Sequence, residues 1–239
     1  MMSQDPIDHV PPAVAGTAAR LRARAGRSWT EAKLRARRSL EPALHRGFDL
    51  VLAGSGLVAT APLLAAAAVA VKLTSPGPVF FRQVRVGEKG VPVTLYKIRT
   101  MYLDADQRLA ALQHLNESEG GVTFKIRRDP RITPAGRILR KLSIDELPQL
   151  WNVLNGTMTT FGPRPPLPKE VAKYGPLERR RLEVKPGLTC LWQVSGRSDL
   201  SFEQQVALDI EFIDTSTPRD EAAILAKTLP AVITGKGAY

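Results

Sequence analysis

The adjacent carboxylates Asp145 and Glu146, set in Ser143-Ile-Asp-Glu-Leu-Pro148, are the strongest chemical signal in the chain. Two neighbouring acids share one small volume, so each perturbs the other's pKa. Arg137, Arg140, Lys141 and Arg164 lie close in sequence. A helix start ringed by arginines suits a phosphate. Carboxylates beside a phosphate call for a mediating cation, and Mg²⁺ is the usual one. An aspartate can also attack phosphorus to give an acyl phosphate. The same residues fit a structural role as well. Ser143 and Glu146 have capping-box spacing, and acids suit the positive end of a helix.

Three further segments carry cations. Phe161-Gly-Pro-Arg164-Pro-Pro166 holds one arginine between prolines, which lower the entropy lost in fixing it. It reads either as an anion clamp or as a surface loop. Tyr96-Lys97-Ile-Arg99-Thr-Met101 alternates basic and apolar residues, so a strand would put Lys97 and Arg99 on one face. A plain polar strand face is the alternative. Ser195-Gly-Arg197-Ser-Asp199 is a candidate substrate loop or an ordinary turn. There is no P-loop, no G-x-G-x-x-G and no G-x-S-x-G. The single Cys190 excludes an internal disulfide and a cysteine zinc site, and the three histidines are scattered. Cys190 reads as inert packing in an apolar strand.

The elements that must position these groups are mostly short. Strands are expected at Val79–Arg85 and Val91–Ile98, around the turn Gly87-Glu-Lys-Gly90. Helices are expected over Asp104–Leu115 and Arg137–Leu142, and from the dyad to about Asn155 with Gly156 as its cap. Leu147, Leu150, Trp151 and Leu154 would form the apolar face of that last helix. Leu177–Leu182 reads as helical, Leu188–Val194 as a strand, and Phe202–Phe212 and Asp220–Ile233 as helices. The fold class is α+β, mainly helical, with a small β element.

The chain has 239 residues, 34 basic and 23 acidic, a net charge of +11. That charge admits nucleic acid, an anionic membrane or phosphate-bearing substrates as partners. Residues 1–46 read as a basic, partly disordered arm, aperiodic over Met1–Gly16, with a helix over Trp29–Leu40. Leu50–Val71 then runs 22 residues without a charge, enough as a helix to cross a bilayer core. Pro62 interrupts it, and both flanks are basic. Two basic flanks are satisfied together when both ends stay on the cytoplasmic side. Residues 47–73 are therefore expected to form a re-entrant, Pro-broken membrane helix, with Thr60 satisfying backbone groups freed at the bend. Residues 74–239 would be a cytoplasmic catalytic domain with interfacial helices, which makes the chain a monotopic membrane protein. Such a segment speaks against a soluble nucleic-acid binder.

Several segments in order resemble the bacterial sugar transferase family, the monotopic polyprenol-phosphate phosphoglycosyl transferases. They are His45–Asp49, Lys72–Phe81, Tyr96–Met101, Asp129–Thr133, Leu142–Leu154, Gly162–Pro165, Val184–Thr189, Leu191–Leu200 and Gly235–Tyr239. The resemblance implies transfer of a sugar-1-phosphate from a nucleoside diphosphate sugar to polyprenyl phosphate, releasing the nucleoside monophosphate. It implies Mg²⁺ held by Asp145 and Glu146, and a ping-pong route with Asp145 as nucleophile. Arg164 would bind the donor, with Lys97, Arg99, Arg137, Arg140 and Arg197 as further substrate-binding candidates. The donor is expected to be a UDP-hexose, the setting exopolysaccharide or glycoconjugate assembly, and the place the cytoplasmic face of the inner membrane. A homodimer is left open. Three departures stand out: Thr157 replaces a usual Asp, Cys190 a usual Gly, and Thr60-Ala-Pro62 the common Ser-Pro. The first admits an alternative, a catalytically impaired membrane scaffold of the same family.

Overall fold

The computed structural model describes the backbone of residues 12–117, 122–124, 126–235 and 237, with side chains from residue 42 onward, residue 233 excepted. The expected disorder of Met1–Gly16 lies outside the described residues as far as Pro11, but Pro12–Gly16 is helical. The chain divides into two compact units, Met1–Phe48 and Asp49–Tyr239.

Helix α1 runs Pro12–Thr74, and the expected helix over Trp29–Leu40 is part of it. Its segment Pro42–Thr74 is long and apolar enough to cross a membrane. The backbone stays helical through Thr60, Ala61 and Pro62. Pro62 has no N–H to give the carbonyl of Val58. The Thr60 hydroxyl does not take over that task; it donates to the carbonyl of Gly56 at 2.7 Å. The helix is therefore continuous where a proline break was expected, because a proline inside a helix removes one hydrogen bond without having to end it.

Helical periodicity sorts α1 into two faces from Asp49 onward. Asp49, Ala53, Ala67 and Val71 are buried at helical spacing, with Leu57, Thr60 and Leu64 half-buried between them. Val51, Val58, Leu63, Val69 and Leu73 are exposed. A soluble core helix would cover both faces; here only 11% of the most apolar stretch is buried.

The expected hairpin forms from β1, Phe80–Val86, and β2, Pro92–Ile98, antiparallel with Phe80 opposite Ile98 and Val86 opposite Pro92. On β2, Val93, Leu95 and Lys97 alternate onto one face. The first two enter a core with Ala53, Leu150, Val153 and Met158. A second core joins Ala67 and Val71 to Ile98, Leu139 and Ile144. Helix α2, Ala105–Leu109, continues as a 3₁₀ turn to Leu115. Helix α3, Pro134–Lys141, starts on Thr133, whose hydroxyl accepts from the Gly136 amide.

The helix expected from the dyad to Asn155 is two pieces. Ile144–Gln149 is a 3₁₀ turn containing Pro148, and α4 covers Leu150–Leu154. The change of winding spoils the expected apolar face: Leu150 is buried while Trp151 is 54% exposed. Strand β3, Thr159–Phe161, leads into the proline loop; α5, Pro168–Val171, and α6, Pro176–Arg179, follow. Strand β4, Gly187–Thr189, pairs parallel with β3. The strand expected over Leu188–Val194 ends at Thr189, and Leu191–Ser195 is helix α7. Helices α8, Phe202–Thr215, and α9, Pro218–Thr234, bring Phe212 and Ile224 into one buried cluster with Phe161.

Candidate active site

Asp145 and Glu146 stand two and three residues beyond a strained backbone position. Ser143 adopts φ 54°, ψ 22°, left-handed for a residue with a Cβ. This conformation marks the passage of the chain out of α3 into the 3₁₀ turn that carries the two acids. The capping-box alternative fails here. The Ser143 side chain makes no cap bond, and Glu146 does not reach back to it. Instead Arg164 grips Glu146 two-handed, Nη2 to Oε1 at 2.5 Å and Nη1 to Oε2 at 3.0 Å. Lys97 Nζ donates to the same Oε1 at 2.8 Å.

The Asp145 carboxyl is buried and forms no hydrogen bond among the described residues. Burial, and then the charge of Glu146, push its pKa up to about 6; Lys97, Arg140 and Arg164 pull the other way. Glu146 moves oppositely. Burial opposes its charge, but Arg164 and Lys97 outweigh burial and hold it well below the usual carboxylate range. Burial lowers the Lys97 pKa, against the pull of Glu146. Two titratable groups whose environments split them in this way are a common basis for dividing chemical roles.

The proline loop fixes Arg164. Pro163 and Pro165 are fully buried. The Pro165 carbonyl accepts from Arg85 Nη1 at 3.1 Å, and the Pro166 carbonyl from the Val86 amide at 2.9 Å. Below the loop β3 and β4 approach so closely that a Cβ on Gly187 would lie 2.1 Å from the Gly162 nitrogen.

These groups line a cleft of 330 Å³. One end holds the dyad with Lys97, Arg140, Arg164 and Arg197; the lining also includes Phe124, Tyr174, Trp192 and Phe202. Arg140 is oriented by a bond from its Nε to Thr100 Oγ1 at 3.0 Å. Arg197, also left-handed at φ 55°, donates to the Ser143 hydroxyl at 3.2 Å. Of the cations singled out in the sequence, Lys97, Arg140, Arg164 and Arg197 meet here. Arg99 and Arg137 do not. Strand β2 stops at Ile98, so Arg99 leaves the face of Lys97 and is buried against Ser75 and the Pro78 carbonyl. Arg137, one turn before Arg140 on α3, is exposed and does not line the cleft.

Sequence reasoning missed Arg85, Tyr174, Arg181 and Trp192 in the lining. Arg181 spans buried Asp209, at 2.8 Å, and the Tyr174 hydroxyl, at 2.8 Å. Burial lifts the Asp209 pKa to about 6 in spite of Arg181. Cys190 is buried and its Sγ–H donates to Gln193 Oε1 at 3.1 Å, with burial raising its pKa well above the ordinary thiol value. It is a packing thiol, at the start of α7 and not within a strand. Thr157, standing where an Asp was expected, lies outside the cleft lining. Its hydroxyl donates to Asn155 Oδ1 at 2.7 Å and contacts Asn152 at 3.1 Å, closing a local turn.

Among the described residues no group of three or more acids, histidines or cysteines is placed to hold a metal. Mg²⁺ needs only one or two carboxylates when phosphate oxygens and waters complete its shell. Asp145 offers such a carboxylate, whereas both Glu146 oxygens are committed to cations. The donor set therefore fits Mg²⁺ only together with a phosphate-bearing substrate.

The cleft thus combines an acid–cation cluster with aromatic residues in its lining. A sequence profile of the bacterial sugar transferase family matches residues 40–235. The chain is 38% identical over 197 residues to the exopolysaccharide production protein ExoY of Sinorhizobium fredii, covering 81% of this chain and 87% of that one. It is 40% identical over 202 residues to the UDP-glucose:undecaprenyl-phosphate glucose-1-phosphate transferase of Caulobacter vibrioides, covering 81% and 71%. It is 38% identical over 200 residues to the undecaprenyl-phosphate galactose phosphotransferase of Salmonella typhimurium, covering 82% of this chain and 42% of that longer one. The chain belongs to the bacterial sugar transferase family, and it is an enzyme of the glycosyl-1-phosphotransferase class.

Proposed function

We propose that this protein transfers a sugar-1-phosphate from a UDP-hexose to polyprenyl phosphate, releasing UMP, as an early step of exopolysaccharide or glycoconjugate assembly. The activities for which the Caulobacter and Salmonella relatives are named support the two substrates. The observation that carries the mechanism is the unequal dyad: Asp145 without a hydrogen-bond partner beside Glu146 with two cations.

In this reading an Asp145 oxygen bonds to the donor's β-phosphorus while the bond to the bridging oxygen breaks. The bridging oxygen leaves with UMP. An oxygen of the acceptor phosphate then attacks the same phosphorus, and the carboxylate is restored. Lys97 and Arg164 bind the diphosphate, which competes with Glu146 for them. Arg140 and Arg197 add positive charge at the same end of the cleft. Asp145 and the released Glu146 would hold Mg²⁺, which supplies charge neutralisation on the diphosphate.

The re-entrant placement of α1 belongs to the same reading. Both ends of the apolar run are bonded to one polar body. Asp49 accepts from Thr159 and Thr160, and Ser75 accepts from Arg99. A straight crossing would pull these ends onto opposite faces. With both ends at the cytoplasmic face of the inner membrane, the cleft meets a water-soluble donor and a lipid acceptor.

The test is UMP release from a UDP-hexose panel by membranes carrying the protein, with Mg²⁺ and polyprenyl phosphate. Incubation with donor alone should leave a sugar phosphate on the wild-type chain and none on Asp145→Asn. An active Asp145→Asn enzyme would remove the nucleophile assignment.

A further inference from the structure

Asp49 is a buried carboxylate on the first turn of the apolar run, outside the cleft. It accepts three hydrogen bonds from two consecutive residues of β3. Thr160 gives its amide at 2.8 Å and its hydroxyl at 2.6 Å, both to Oδ1; Thr159 gives its hydroxyl at 2.9 Å to Oδ2. A carboxylate takes this set of donors without a counter-cation, because hydrogen bonds to an ionised acceptor are the strong ones. Packing alone would not require it: an aliphatic residue would fill the same stripe as Ala53.

The chain that Asp49 holds is the one that delivers Arg164. From Thr160 it runs through Phe161 and Gly162 into two fully buried prolines that bracket Arg164. Gly162 is pinned on its other side, its amide donating to the Thr189 carbonyl at 3.1 Å. Four residues of extended and proline-locked chain leave little slack between Thr160 and the guanidinium. We infer that Asp49 is a positioning residue for the reaction: it ties the membrane helix to β3 and thereby sets where Arg164 meets Glu146 and the donor phosphates. The link rests on the reaction proposed above.

The test is a double-mutant cycle on the full-length protein in membranes, read as kcat/KM for the donor by UMP release. Asp49→Ala lowers kcat/KM by about tenfold, the scale expected of a sub-ångström misplacement. In an Arg164→Lys background the same substitution costs less than about threefold, because the group it acts through is already impaired. Asp49→Asn, which keeps an acceptor for the Thr160 amide, recovers most of the loss. Protein in the membrane fraction is quantified for each variant. If Asp49→Ala does not accumulate, Thr160→Val replaces it, with a smaller loss and the same shortfall in the Arg164→Lys background. An equal loss in both backgrounds overturns the link and makes Asp49 a structural residue only. A wild-type protein that releases no UMP overturns the reaction assignment itself, a result distinct from additivity in an active enzyme.

Discussion

At the scale of single residues the site is an argument about two neighbouring acids driven apart. In the proposed reaction Asp145 attacks as a carboxylate, and its pKa, pushed up to about 6, sets when it is one. Its charged fraction falls from about nine-tenths at pH 7 to about half at pH 6 and a tenth at pH 5. The donor kcat/KM should therefore fall about fivefold from pH 6 to pH 5 and roughly tenfold per pH unit below that. Glu146→Gln removes a neighbouring charge that raises Asp145, so the acid limb should move to lower pH while activity drops with the loss of the Arg164 and Lys97 anchor. An acid limb that stays in place would show that Glu146 does not set it. The acids and the nearness of Arg140 and Arg164 were legible from residue type and spacing, whereas Lys97 and Arg197 stood only as substrate-binding candidates and Arg137 was wrongly grouped with the acids. The pairing was not legible, because a sequence counts charges and does not say which of them touch. Arg99 shows the limit: alternation holds only as long as the strand does, and β2 ends one residue earlier. Arg85 and Arg181 are ordinary arginines in sequence and reach the cleft only through folding.

Among the elements, those with local chemistry read well and those made by tertiary contact did not. The β1–β2 hairpin announces itself through Gly87 and Gly90 between alternating strands. Helices α8 and α9 were read to within a few residues, and the structure shows Ser201 and Thr217 capping them. Strands β3 and β4 have three residues each, too few to show a period of two. Their pairing instead leaves a mark in glycine. Gly187→Ala would drive a Cβ into the Gly162 backbone, which no side-chain rotation relieves. We expect a loss of about 2–4 kcal/mol, the range of severe packing lesions. It would be read as a lower midpoint of denaturation in detergent, with a fall in activity through the Arg164 loop. An unchanged midpoint would mean that the two strands separate easily. The dyad helix was misjudged for a similar reason. Pro148 and the left-handed Ser143 wind it as a 3₁₀ turn, so a face drawn at 3.6 residues per turn assigns Trp151 wrongly.

For the whole molecule the open question is on which side of the membrane each end of α1 lies. Cysteines introduced at Ser28 and at exposed Leu103 should both react with an impermeant label added from the cytoplasmic side of inverted membranes. Neither should react from the periplasmic side. The native Cys190 is fully buried and adds no background. Labelling of either site from outside would mean that α1 crosses. The uncharged run and its basic flanks made the membrane segment legible; the buried stripe of Asp49, Ala53, Ala67 and Val71 was hidden by the uniform apolarity around it. That stripe has a consequence for how the protein is made. Its partners, from Val93 to Met158, are translated after it. At ~5–20 residues per second, several seconds pass between the emergence of Val71 and that of Leu154. In the proposed membrane placement, the helix would wait in lipid during that interval with its inner face uncovered. Small apolar side chains such as Ala53 and Ala67 tolerate acyl chains in this waiting state, and Asp49 sits at the end of the run, where headgroup water can serve it. The order of synthesis thus sets a rule for the stripe: it must be acceptable to lipid first and to protein afterwards.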